Sequence, residues 1–247
     1  MRSRINLSRI GPGGRPDASP RYPSAFAPSG WWRLPYAGSP LVDISGNSRD
    51  VSQGTGSLVP ATTGTLNQFA TPTFDGTDDY LLRALSLSPS FLDLFAGSWT
   101  WSVLCKFTGT TVDPGAGSRH LACNVLSDSG GWQGLVITTT GPAAYFFTGN
   151  QYKECKATAD VSGWVALQTK YDGTNLKVRA NNGTWGSVAC GRPDGTNHLR
   201  IGKSFDGVTF KGQIADVSMY KAALSDRELD NLLMYYDSRY GLRLFTP

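Results

Sequence analysis

The sequence predicts an all-β fold closed by one C-terminal helix, and three observations predict it. The 247 residues include 29 glycines, 14 prolines and 11% aromatic residues, a composition suited to short strands joined by turns. The stretch SWTWSVLCKF (98–107) alternates its faces and is built from bulky β-formers, the mark of a central strand. Near the end, Ser225-Asp226-Arg227-Glu228 spells a capping box, in which the Ser225 hydroxyl accepts the Glu228 amide and the Glu228 side chain reaches back to the Ser225 amide. Leu224 and Leu229 flank it as a hydrophobic staple. Leu229, Leu232, Leu233 and Tyr236 make one apolar stripe, and Gly241 is placed to stop a helix of about residues 226–239.

Taken in order, residues 1–30 carry Pro, Gly, Ser and Arg with almost no apolar periodicity and read as an extended basic arm. From Trp31, WWRLPYAGSPLVDISGN reads as an opening strand and a turn at Asp43-Ile44-Ser45-Gly46-Asn47, where Asp and Asn side chains bond locally and Gly46 allows positive φ. Residues 48–72 are polar and read as a loop with one weak strand. Phe74-Asp75-Gly76 is a turn that leads into a strand at Tyr80-Leu81. After the central strand, WQGLVITTT and AAYFFTG form a hairpin around Gly141-Pro142. Two more strands flank Asp172-Gly173-Thr174-Asn175, and Asn182-Gly183 is a further hairpin signal. A short strand lies in LRIGKSF (199–205). In the last one, Phe210, Gly212, Ile214, Asp216 and Ser218 alternate with Lys211, Gln213, Ala215, Val217 and Met219.

The words F-x-G-x-I-A-x-V-x-x-Y-x-x-A-L-S-x-x-E-L (210–229), with D-x-S-G-N at 43–47, F-D-G-x-x-D-Y at 74–80 and W…Y-D-G at 164–173, resemble a laminin-G-like, concanavalin A-like domain. The resemblance runs over about residues 31–240 in several ordered words. It implies a two-sheet antiparallel jelly-roll sandwich with the helix packed behind its last strand. The domain is then 31–247, preceded by the arm. Jelly rolls of this family occur on tailed-phage particles as decorations, fibres or tail components, and some relatives bind calcium at loop edges.

Charge sits unevenly. Net charge is +4, yet the first 33 residues hold six arginines (Arg2, Arg4, Arg9, Arg15, Arg21, Arg33) against Asp17 alone, so this stretch carries +5 and the remainder −1. Arginine pairs bidentately with carboxylates at protein interfaces, so an arm of this kind is expected to anchor the domain to other subunits. Phosphate contacts would also use arginine, but scarce lysines and interleaved aromatics weigh against nucleic acid. No apolar run is long enough to span a membrane, and no apolar segment follows the first arginines as in a secretory signal. Cys105 shares a face with Trp99, Trp101, Val103 and Phe107 and reads as a core thiol. Cys123, Cys155 and Cys190 lie near loops, either reduced or paired.

Glycanases on this fold need paired carboxylates, and the chain has only two glutamates, Glu154 and Glu228, the second already used as a cap. Histidines His120 and His198 each read as a residue of a polar loop with no nucleophile elbow, and no phosphate-binding loop is present. Asp43, Asp75 and Asp78, with Asp79, offer hard oxygens of the kind calcium takes; they serve equally to shape turns. For sugar binding the candidates are Trp185, Asn181, Asn182, Tyr152 and Trp132, aromatic platforms beside amide-rich turns. Trp185 leads, and Trp132 also fits a core position. The reading is a non-enzymatic structural or interaction protein of a virion, anchored by its arm and adhering to glycans. A soluble carbohydrate-binding module is the alternative, and a glycoside hydrolase a more distant one.

Overall fold

The computed structural model describes residues 23–34, 41–54, 59–60, 66–67, 69, 71–83, 97–108, 118–125, 132–138, 141–148, 151–191, 198–203 and 209–245. The arm arginines Arg2, Arg4, Arg9, Arg15 and Arg21 lie outside them. Among the described residues the strands are β1 (Gly30–Arg33), β2 (Ser52–Gln53), β3 (Val59–Pro60), β4 (Pro72–Asp75), β5 (Leu81–Arg83), β6 (Trp99–Phe107), β7 (Ser118–Val125), β8 (Trp132–Thr138), β9 (Gly141–Thr148), β10 (Gln151–Lys156), β11 (Trp164–Tyr171), β12 (Asn175–Ala180), β13 (Gly186–Ala189), β14 (His198–Ile201) and β15 (Lys211–Tyr220). A 3-10 turn (Pro23–Phe26) precedes them and helix α1 (Asp226–Tyr240) follows.

These strands form an antiparallel two-sheet sandwich. One sheet has eight strands in the order β13-β12-β11-β6-β15-β4-β3, with β1 also pairing β15; the other has seven, β10-β9-β8-β7-β14-β5-β2. Strand β15 shares one edge between two partners: Lys211–Gln213 pair with β4, and Asp216–Met219 pair with β1. Between the sheets lies a core that takes Trp99, Trp101, Val103 and Cys105 from β6 and Leu135, Ile137, Ala144 and Cys155 from the facing sheet. The core role expected of Cys105 holds: it is fully buried, and burial pushes its thiol well above the ordinary cysteine range.

Helix α1 covers the outside of the eight-stranded sheet. Its capping box is complete, Gly241 ends it at φ 66, and Leu229, Leu232, Leu233 and Tyr236 are all fully buried. Leu233 and Tyr236 pack on Leu104, Ala166 and Ala215, while Leu229 and Leu232 pack with Leu224 and Tyr220. Polar bonds complete the docking. Thr100 Oγ1 donates to Ala222 O at 2.7 Å and accepts the Leu224 amide at 2.9 Å, and Arg179 joins Gln168 to Asp230, each contact at 2.8 Å.

The expected alternation of β15 is corrected by a bulge. Register shifts between Ile214 and Asp216, so Ile214, Val217 and Met219 face the inter-sheet core while Ala215 and Tyr220 lie with the helix. An extra residue on one strand moves everything after it to the opposite face. Residues 23–29, which the sequence placed in the arm, lie against the sandwich: Pro23 is buried, the Ser29 amide bonds Met219 O at 2.7 Å, and Phe26 meets Tyr220 edge-on.

Candidate functional site

The two sheets differ in what covers them. The eight-stranded sheet lies beneath α1, the one α-helix among the described residues, and among those residues no helix covers the outer face of the seven-stranded sheet. That second sheet can be read from register. Leu135, Ala144 and Cys155 are cross-strand partners and point into the core. Three positions away in each strand, Trp132, Phe147 and Tyr152 are also cross-strand partners and form one register row. The row continues through Val125 of β7 to His198 of β14; His120 and His198, expected in polar loops, instead stand in the paired strands β7 and β14.

A parallel row runs Glu154, Tyr145, Gly134, Cys123, Arg200, Leu82 and Ser52. Four aromatic residues therefore occupy neighbouring register positions on β8, β9 and β10, beside Gly134. Neighbouring strands lie about 4.8 Å apart, so the three-residue aromatic row spans roughly 10 Å. Charged groups lie along the second row and beyond it, Glu154 opposite Tyr145 and Arg200 two strands past Gly134. Glu154 pairs with Lys156 at 3.1 Å, and the Arg200 guanidinium and the Lys203 ammonium lie 5.8 and 5.0 Å from the Tyr80 ring centre.

The five sugar-binding candidates thus fall in two places. Trp132 and Tyr152 share one register row of the seven-stranded sheet, whereas Trp185, Asn181 and Asn182 lie at the β12–β13 hairpin of the other sheet. There the Trp185 indole is half-buried and engaged within the fold. Its Nε1 donates to Asp226 Oδ1 at 3.1 Å, Lys170 and Arg179 lie over its ring at 4.6 and 4.7 Å, and it packs against the Leu224–Leu229–Leu232 cluster. Asn181 serves the turn: it sits at φ 52, and its Oδ1 accepts the Ala166 amide at 3.0 Å. Phe147 and Tyr145 were missed by residue-by-residue reading. The signal was available in AAYFFTG, whose Tyr145 and Phe147 take register positions beside Glu154 and Tyr152 once the partner strand is known.

The aspartates also separate. Asp75, Asp78 and Asp79 bring one oxygen each within 4.8 Å of one another. Two of the three already accept backbone amides of the same turn: Asp75 takes Thr77 and Asp78, and Asp79 takes Asp75. Asp43 belongs to another arrangement. Buried, it accepts the amides of Trp31, Ser45 and Arg49 at 2.9, 2.9 and 3.0 Å and so organises the turn after β1. Both glutamates are engaged as well, Glu154 with Lys156 and Glu228 with Ser225.

No family model and no curated protein matches the chain. Solved structures do. Domain 4 of AbnA, a GH43 extracellular arabinanase from Geobacillus stearothermophilus in complex with arabinotriose, matches with TM-score 0.60 and 15% identity over 83% of this chain and 98% of that one. The botulinum neurotoxin serotype D binding domain matches with TM-score 0.64 and 14% identity over 86% of this chain, which spans 52% of that one. The Ruminococcus gnavus IT-sialidase CBM40 bound to α2,3 sialyllactose matches with TM-score 0.52 and 17% identity, over 66% of this chain and 96% of that one. At such identities the likeness is one of fold: the chain is an antiparallel β-sandwich similar to these domains.

Proposed function

We propose that the chain is a non-enzymatic, glycan-binding β-sandwich domain that uses the outer face of its seven-stranded sheet. The observation that carries this reading is the cross-strand row Trp132–Phe147–Tyr152, with Tyr145 and Gly134 in the next row. Aromatic rings stack on the apolar C–H face of a sugar while bordering polar groups take its hydroxyls. The fold likeness to domains solved with arabinotriose and with sialyllactose supports the same reading. Trp132→Ala is expected to abolish binding on a glycan array with the melting temperature little changed. Trp185→Ala is expected to retain binding and lower the melting temperature, because its indole joins the hairpin to α1. The reverse pattern would move the site to the hairpin.

Within this proposal the arm, residues 1–30, anchors the domain to other subunits of a virion. Its arginines and the phage-particle resemblance support the reading. Deleting residues 1–22, which leaves the packed 3-10 turn in place, is expected to give a folded domain that no longer incorporates into the particle. Incorporation of the truncated domain would place the interface on the sandwich.

A further inference from the structure

On the opposite side of the sandwich, beyond the C-terminal end of α1, a groove of about 450 Å³ opens on the eight-stranded sheet. Its floor is one register row: Trp164 of β11 pairs with Lys106 of β6, which pairs with Gln213 of β15. The adjacent row, Val165, Cys105 and Ile214, is buried in the core, so these three face outward. The walls come from Leu66 and Asn67 and, at the helix end, from Tyr240, Gly241 and Leu242.

Three features point to a ligand. Lys106 is half-buried, yet among the described residues its ammonium makes no ion pair or hydrogen bond. A partly desolvated cation is stabilised by a partner, and the groove beside it has room for one. Two amide oxygens line the same space without a bond among the described residues. Gln213 commits its nitrogen to Thr71 Oγ1 at 3.0 Å, and Asn67, held at φ 46, commits its own to Arg239 O at 2.8 Å. Trp164 supplies a half-buried aromatic surface next to Lys106 in the row. The local charge also favours an anion. The Arg239 guanidinium lies 5.4 Å from the Tyr240 ring centre, and the nearby acid, Asp237, already accepts the Leu244 and Phe245 amides at 2.7 and 3.0 Å.

We propose that this groove binds a carboxylate-bearing sugar, a hexuronate unit of an acidic glycan. Its carboxylate pairs with Lys106, its apolar face lies on Trp164, and its hydroxyls donate to Gln213 Oε1 and Asn67 Oδ1. This site is on the other sheet from the aromatic row and stands or falls independently of it. The test is an amide-shift titration of the full chain with glucuronate, with glucose and acetate as matched probes lacking the carboxylate and the ring. Glucuronate is expected to move the Trp164, Lys106 and Gln213 amides saturably, with glucose and acetate far weaker. Lys106→Met is expected to weaken glucuronate at least ~10-fold, the size of one charge-assisted hydrogen bond, with the spectrum otherwise retained. Lys106→Arg is expected to keep binding, and Trp132→Ala to leave it unchanged. Absence of a saturable shift, equal response to glucose or acetate, or unchanged binding in Lys106→Met would overturn the proposal.

Discussion

Asp216 is fully buried just past the β15 bulge, under α1, where it accepts from Trp31 Nε1 at 3.1 Å and from the Tyr236 and Tyr240 hydroxyls at 3.5 and 3.4 Å. Burial pushes its carboxyl up to about 7, against the Trp31 bond and the charges of Arg33 and Arg239. A carboxyl raised this way holds its proton more tightly in the folded state than in the unfolded one. Its contribution to stability is therefore complete below the unfolded carboxylate range, about 4, and is lost as pH rises through about 7. Urea midpoints should fall across that window, by at most about 1.4 kcal/mol per pH unit for this one group, and Asp216→Asn should flatten the profile. A wild-type profile that is already flat would mean that Asp216 is ionised comfortably where it sits. Trp185 carries the residue-scale lesson about legibility. Its place at a hairpin tip is readable from Asn181-Asn182-Gly183. Its engagement is not, because Asp226 and the helix that meet it come 41 residues later.

At the scale of elements, α1 was the most legible and the flat, polar strands the least. A capping box, a staple and a 3.6-residue stripe are local patterns, and all of them appear in the structure. Leu232, fully buried in the cluster with Tyr220 and Leu224, should cost roughly 2–5 kcal/mol when cut to alanine. Ser225→Ala should cost about 1 kcal/mol through the lost cap. Chemical denaturation of both variants checks these values, and midpoints equal to wild type would mean that the helix does not close the sandwich. By contrast, Ser118–Val125 and Gln151–Lys156 were not recognised as strands. Neither shows clean alternation. The first contains a bulge between His120 and Ala122, and the second is an edge strand rich in charge, as exposed edges are.

At the scale of the whole molecule, the same sandwich presents two unlike surfaces. One sheet's outer side is taken by a helix that docks through Thr100, Gln168, Lys170 and Arg179, so even its polar positions are internal. The other sheet keeps an aromatic row that exists only in cross-strand register, with Trp132 and Tyr152 coming from strands that do not touch and Phe147 joining them. No single stretch of sequence spells that row, which is why the fold was readable from ordered words and the face was not. The most direct test is an amide-shift map of the labelled chain titrated with a sugar recovered from the array. The expected shifts fall on Trp132, Phe147, Tyr152 and their neighbours on β8, β9 and β10; shifts confined to residues 181–185 and the start of α1, with those three strands silent, would contradict the assignment.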